Sequence, residues 1–361
     1  MRIVIKVGTN LLAPADGLLD KSSIRALAEE IAALKKTGAG VVLVSSGAIG
    51  TGMGKMKITE RPDSLREKQA LAAIGQPILM QAYQECFGAL GITIAQVLLN
   101  RQDFDDRSRY LNARNTMLSL LEMGVLPIIN ENDTVAVEEI NFGDNDTLSA
   151  LVAAKVSADW LFLLTDVDGL YIGGLEKGKV IPKVAKITAE IEACAGETSS
   201  SGKGTGGMKT KIMAAKIATA SGVKMAIING KSPEKISKMI EGEECGTVFL
   251  PGKALEPRKS WIAFGTKCKG KLVVDAGAAA ALTQKDKSLL ASGIAAVEGK
   301  FAVGDQVGIF DTAGKELARG LTYFSAEDIN KVKGKKSSEI KQILPDAAYE
   351  EVIHKDNLVI L

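Results

Sequence analysis

Two rhythms of apolar and polar residues alternate along the first 250 positions. Short aliphatic runs are each followed by longer stretches in which apolar side chains recur every three or four residues. Residues 2–7 and 41–44 are strand-like runs, the second continuous enough to be buried on both faces. Between them Asp20 predicts a helix cap, with Ile24, Leu27, Ala28, Ile31 and Leu34 on one face through about Thr37, and Gly38 as the stop. Onward from residue 45 the reading is a polar glycine-rich turn (45–54), two helical segments flanking Pro77, and a strand (92–99). A helix (112–123), strand (125–129), helix (144–156) and strand (160–164) follow. The last three elements are a helix (208–220), a strand (223–228) and a helix (233–240).

Strands alternating with long helices predict an α/β fold with a mostly parallel sheet. The rhythm changes near 251–260, where Pro251 and Pro257 read as linker. Short glycine-punctuated strands follow at 271–274, 293–297, 306–310, 317–323 and 357–360. The expected organisation is a domain over 1–255, a linker over 256–268, and a small mainly-β domain over 269–361. The stretch 198–207 is rich in Ser, Gly and Thr and reads as mobile.

Composition narrows the chemistry more than the fold. Of 361 residues 46% are hydrophobic but only 4% aromatic, so the core is expected to be aliphatic. The net charge of +2 selects neither nucleic acid nor membrane. Four scattered cysteines form no C-x-x-C pair, which disfavours zinc and fits a reducing, cytoplasmic setting. His354 is the one histidine, so chemistry must run on Lys, Asp, Ser, Asn and backbone amides, with or without a metal ion.

Five segments fall at strand exits or helix starts, where α/β sheets bind ligands. Lys6 stands inside an apolar strand and Gly8 follows it; a lysine there either faces a ligand or snorkels at an edge. Ser46 and Gly47 open a turn that exposes backbone N–H groups to a carboxylate or phosphate, unless it is an ordinary βα turn. Asn130-Glu131-Asn132-Asp133 and Asp144-Asn145-Asp146 are denser in polar groups than capping explains, which favours a substrate amine or an organised lysine. Thr205-Gly206-Gly207-Met208-Lys209-Thr210-Lys211 opens a helix as phosphate-binding loops do, without matching the P-loop pattern. Thr165 and Asp166 end a buried strand and suit a nucleotide, magnesium, or only a turn.

Taken in order, Ile-Lys-Val-Gly-Thr, Val-Ser-Ser-Gly-Ala-Ile, Ile-Asn-Glu-Asn-Asp, Gly-Asp-Asn-Asp, Leu-Leu-Thr-Asp and Gly-Thr-Gly-Gly-Met-Lys-Thr-Lys resemble the amino acid kinase family. The part from about Gly270 resembles a PUA domain. The resemblance implies a three-layer αβα sandwich followed by a small PUA-like barrel. It also implies transfer of the ATP γ-phosphoryl group, with Mg2+, to the side-chain carboxylate of glutamate, the entry to proline synthesis. Lys6, Lys211 and Asp146 would be catalytic. Ser46, Gly47, Asn130, Asp133, Asp144 and Asn145 would hold the amino acid. Lys6, Gly8, Thr165, Asp166 and Thr205 to Lys211 would hold ATP. A homo-oligomer (dimer or tetramer) and hand-off to a glutamyl phosphate reductase are further implications. N-acetylglutamate, aspartate or a nucleotide as acceptor stays open, as does RNA binding through the PUA module. That module carries thirteen charges of each sign from Lys269 onward, without the basic excess RNA binding favours.

Overall fold

The computed structural model describes residues 1–12, 19–136, 145–172, 178–194, 207–252, 259, 261–265, 268–285, 287–345 and 347–361. They divide into two compact units, Met1–Ala254 and Leu255–Leu361.

In the first unit the strands are β1 (Arg2–Val7), β2 (Gly40–Ser45), β3 (Ile94–Leu99), β4 (Leu126–Glu131), β5 (Trp160–Thr165), β6 (Tyr171–Ile172), β7 (Lys179–Val180), β8 (Lys183–Val184), β9 (Lys224–Asn229) and β10 (Thr247–Phe249). Eight of them form one sheet in the order β3-β4-β2-β1-β5-β9-β10-β8; β6 and β7 make a separate hairpin. Every pairing in the large sheet is parallel except β9 with β10. Outward from β1 lie β2, β4 and β3 on one side and β5, β9, β10 and β8 on the other; because β1, β2, β4, β5 and β9 pair in parallel, their carboxyl ends share one edge. That edge is where such sheets bind ligands.

The helices are α1 (Thr9–Leu12), α2 (Lys21–Lys36), α3 (Ala48–Met56), α4 (Leu65–Gly88), α5 (Gln102–Asp105), α6 (Arg107–Glu122), α7 (Asn145–Lys155), α8 (Ala189–Cys194), α9 (Met208–Ala220) and α10 (Lys235–Ile240). Asp20 caps α2 by accepting from the Ser22 and Ser23 amides, and the five apolar residues expected on its face are the buried ones. Each such Leu or Ile contributes roughly 1.5–3 kcal/mol on burial.

Three expectations need correction. The stretch read as a turn over 45–54 turns after Ser45 and is already the helix α3 from Ala48. Of its glycines, poor helix formers, Gly52 is there for packing. A Cβ on Gly52 would stand 2.0 Å from the Leu71 carbonyl oxygen of α4. The two segments expected around Pro77 are one helix, α4, because both halves are anchored: Leu71, Ala72 and Gly75 before the proline, Leu79, Ala82, Tyr83 and Phe87 after it. That burial offsets the roughly 3 kcal/mol an interior proline costs. Helix α6 starts at Arg107 rather than near 112, since Asp106 caps it by accepting from the Arg109 amide.

The second unit contains a five-stranded sheet ordered β13-β11-β14-β15-β17, built from β11 (Gly270–Val274), β13 (Ile294–Gly299), β14 (Gln306–Phe310), β15 (Glu316–Leu321) and β17 (Leu358–Ile360). A small ladder pairs β12 (Leu289–Leu290) with β16 (Glu351–Ile353). Three helices accompany them: α11 (Ala276–Lys285), α12 (Ala326–Val332) and α13 (Ser337–Ile343). Within the stretch read as linker, Trp261–Gly265 forms a turn of π-helix whose Ile262 and Ala263 are buried beside Val359 of this unit. Among the described residues of both units, no helix is long and apolar enough to cross a membrane.

Candidate active site

Lys6 leaves the central strand β1 one residue before its end, and Asp146 stands in the first turn of α7. The Lys6 ammonium lies 2.6 Å from Asp146 Oδ1, and the Lys211 ammonium, from the first turn of α9, lies 3.0 Å from Oδ2. Thr210 adds its hydroxyl, 3.0 Å from Oδ2 and 2.7 Å from the Gly207 carbonyl oxygen. Asp146 has no exposed surface, Lys6 is 8% exposed and Lys211 6%. Burial alone would push the Asp146 carboxyl upward. The two ammonium groups, by charge and hydrogen bond, outweigh it and hold the carboxyl well below the usual carboxylate range. The trio keeps a net charge of +1 in a desolvated setting. Helix α9 adds to it: its N-cap, Gly207, offers no side chain, so the leading amides and the helix dipole stay available to an anion.

A second group of polar residues lies beside the trio. Gly47, between β2 and α3, has φ +99°, a left-handed conformation that favours glycine. The preceding Ser46 hydroxyl accepts from Asn145 Nδ2 at 2.9 Å, and the same nitrogen lies 2.7 Å from the Ser45 carbonyl oxygen and 2.9 Å from Asn130 Oδ1. The Ser45 hydroxyl is 2.8 Å from the Tyr83 hydroxyl. Asp133 is half-buried, and among the described residues its carboxylate accepts no hydrogen bond and forms no ion pair. Partial burial pushes it up to about 6, against a downward pull from Arg61. A desolvated carboxylate without a partner suits an incoming ammonium.

The third group follows β5. Asp166 receives hydrogen bonds from Thr165 Oγ at 3.1 Å and Asn10 Nδ2 at 3.3 Å. Gly8, beside the Lys6 ammonium, donates its amide to the Leu164 carbonyl at 3.3 Å. Farther along the edge Asp168 gathers Asn229 Nδ2 at 3.1 Å and Lys235 Nζ at 3.4 Å.

The structure thus joins Lys6, Asp146, Thr210 and Lys211 directly, and links Ser46, Asn130 and Asn145 in a neighbouring network. Met208 is buried, whereas Lys209 is exposed and makes no ion pair among the described residues. Asp144, Thr205 and Gly206 lie outside the described residues, as do the stretches 173–177 and 195–206. Sequence reasoning missed Asn10, Tyr83, Asp168, Asn229 and above all Gln76, whose Oε1 accepts from Asn130 Nδ2 at 2.9 Å. A signal existed for Gln76: with Ala72, Leu79 and Tyr83 it follows the helical spacing of the buried face of α4.

Residues 1–229 match the sequence model of the amino acid kinase family, and residues 270–344 match that of the PUA domain. A protein of Caldanaerobacter subterraneus subsp. tengcongensis named glutamate 5-kinase is 51% identical, over 100% of this chain and 98% of its own length. Proteins with the same name from Moorella thermoacetica and Rippkaea orientalis are 49% and 48% identical. They cover 100% and 99% of this chain, and 96% and 98% of their own lengths.

Proposed function

We infer the reaction from one premise: the chain belongs to the amino acid kinase family. It is a glutamate 5-kinase, transferring the γ-phosphoryl group of ATP to the side-chain carboxylate of glutamate, the first step toward proline. The observation that carries this reading is the pair of buried ammonium groups held on one buried carboxylate at the ligand-binding edge of the sheet.

The chemistry needs no general base. A glutamate side chain has a pKa near about 4.3, so the nucleophile arrives ionised. The obstacle is an anion approaching an anion: two unit charges about 4 Å apart repel by roughly 4 kcal/mol at an effective dielectric near 20. About 1.4 kcal/mol is tenfold in rate, so that repulsion alone would cost about a thousandfold. Lys6 and Lys211 flank the phosphoryl group and offset its charge, while Asp146 keeps both ammonium groups in place before substrate arrives. The uncapped start of α9, from Gly207 through Lys211, takes the phosphates, and Gly8, Thr165 and Asp166 complete the nucleotide side. Among the described residues no three His, Cys, Asp or Glu side chains converge; magnesium would come bound to ATP and would offset the charge of its phosphates.

On the amino acid side, Ser46 and Gly47 receive carboxylate through hydroxyl and amide, and Asp133 and Asn145 receive the α-ammonium, with Asn130 beside them anchoring Asn145. The free carboxylate of Asp133 favours an unmodified amine over an acetylated one, which would leave Asp133 without a partner. The product is an acyl phosphate, reactive enough to require a downstream reductase. A homo-oligomer and a cytoplasmic location complete the proposal.

The test is ATP turnover in the presence of hydroxylamine, which traps acyl phosphates as hydroxamates. Glutamate should give hydroxamate; a signal no higher than with aspartate or N-acetylglutamate would sink the reading.

A further inference from the structure

Four side-chain amides form a chain whose donors all point one way. Asn145 Nδ2 donates to Asn130 Oδ1 at 2.9 Å, Asn130 Nδ2 to Gln76 Oε1 at 2.9 Å, and Gln76 Nε2 to Gln96 Oε1 at 2.8 Å. The chain runs from the residue before Asp146, across the end of β4, through the middle of α4, to exposed Gln96 on the edge strand β3.

Backbone groups set its polarity. The Ser45 carbonyl, 2.7 Å from the Asn145 terminal group, can only accept, so that group faces it with nitrogen. The Glu131 amide, 2.9 Å from Asn130, can only donate, so Asn130 faces it with oxygen. Asn130 is 3% exposed, and its inward nitrogen has Gln76 as its acceptor among the described residues. The consequence falls on Asn145. Its nitrogen lies within reach of three acceptors that share its two N–H groups, while its Oδ1 accepts no hydrogen bond among the described residues. An open, oriented carbonyl oxygen beside the Ser46 turn is a receptor for a cation, and the cation on the proposed substrate is its α-ammonium.

We propose that Gln76 is a positioning residue for that recognition: by accepting from Asn130 it holds Asn130 against Asn145, and so keeps the Asn145 carbonyl turned to the substrate ammonium. The proposal rests on the amino acid reading above. Without Gln76, the buried Asn130 nitrogen loses its acceptor. A flipped Asn130 would set nitrogen against both the Glu131 amide and the Asn145 nitrogen, two donor–donor clashes. The side chain instead withdraws, and the Asn145 nitrogen loses the Asn130 acceptor.

The discriminating substrate is glutarate, which carries the same carboxylates as glutamate but no amine. Hydroxamate formation is measured with both acids for the wild-type protein, Gln76→Met and Gln76→Glu. Gln76→Met should raise the KM for glutamate about tenfold, the size of one hydrogen bond to a charged group, with glutarate changing less than about twofold. Gln76→Glu keeps an acceptor for Asn130, and the exposed Gln96 is free to turn its amide, so the preference for glutamate should return to within about twofold of wild type. Should Gln76→Met fail to fold, Gln76→Ser, too short to reach Asn130, carries the same expectation. Equal loss on both acids, or an unchanged ratio, overturns the proposal and leaves the kinase reading standing. A wild-type protein that makes no glutamate hydroxamate overturns both together.

Discussion

The Lys6 ammonium lies 2.6 Å from the Asp146 carboxylate, joining the central strand of the sheet to the first turn of α7. Neither side chain is tolerable there alone, since an isolated buried charge costs several kcal/mol. Lys211 takes the other oxygen of the same carboxylate. The lysine–carboxylate trio is therefore assembled by folding rather than by substrate, and in the proposed reaction its lysines would need little reorganisation to meet a phosphoryl group.

Removing Lys211 should separate catalysis from stability. Lys211→Ala leaves the Lys6–Asp146 pair intact, so the protein should fold while kcat drops by about 10²–10⁴. Asp146→Asn strips the shared partner from two buried ammonium groups and should cost about 3–5 kcal/mol of stability as well. Steady-state rates beside urea denaturation check this; a kcat loss below tenfold for Lys211→Ala would reassign α9 to tethering.

Asp133 should make glutamate capture fall off at an unusually high pH. Its carboxylate is pushed up to about 6 by partial burial, and only the ionised form attracts an ammonium. The kcat/KM for glutamate should drop as pH falls through about 6, whereas an ordinary aspartate would hold until about 4. The sign for stability is opposite. Between about pH 4 and 6 the native state keeps a proton that the unfolded chain has released, so stability falls as pH rises across that window. Asp133→Asn should therefore raise the glutamate KM at least tenfold yet raise Tm at pH 7, by about 2–4 °C for each kcal/mol regained. An unchanged KM would contradict the contact.

Much of this was legible in the sequence because periodicity reports burial. The five buried residues of α2 are the ones its spacing singles out, and the aliphatic run of β2 is buried along its length. Lys6, Asp146 and Lys211 stand out as charged residues in apolar or glycine-rich settings. Their meeting did not stand out, because it depends on three elements far apart in the chain. Helix α3 was hidden by Gly50, Gly52 and Gly54, whose low helix propensity is overridden by packing against α4. Gln76 keeps the buried-face spacing of α4, yet its role was not legible: an amide on that face acquires one only once its partner on another element is known.

Lys155 should make the protein more stable in mild alkali. It is 1% exposed, its ammonium lies 3.8 Å from the centre of the Phe104 ring and 4.3 Å from that of Tyr110, and burial pushes it down to about 7 against the attraction of Asp103. Between about pH 7 and 10 the unfolded chain holds a proton that the native amine has released, so stability rises with pH there, by up to about 1.4 kcal/mol per pH unit. Lys155→Met keeps the stem against both rings. It should add about 1–4 kcal/mol at pH 7 and remove that slope. Denaturation of both proteins at pH 7, 8 and 9 isolates the effect as a difference; parallel curves would refute it.

The crossing of α3 and α4 should link fold stability to substrate capture. A Cβ on Gly75 would stand 1.9 Å from the Ala48 carbonyl oxygen and 2.5 Å from the Gly52 amide nitrogen. Those are backbone atoms, so no flexible side chain can yield, and α3 must shift. Because α3 begins directly after Ser46 and Gly47, the shift displaces the turn proposed to receive the amino acid. Gly75→Ala should cost about 1–3 kcal/mol, as overpacking does, and raise the KM for glutamate more than that for ATP. Gly88→Ala is the matched control: it lies on the same helix, and its Cβ would meet only Gln84 Nε2, at an ordinary 3.7 Å. There the alanine should be neutral or stabilising by up to about 1 kcal/mol. If the two variants melt alike and share one glutamate KM, the close approach of α3 to α4 does not hold the Ser46–Gly47 turn in place.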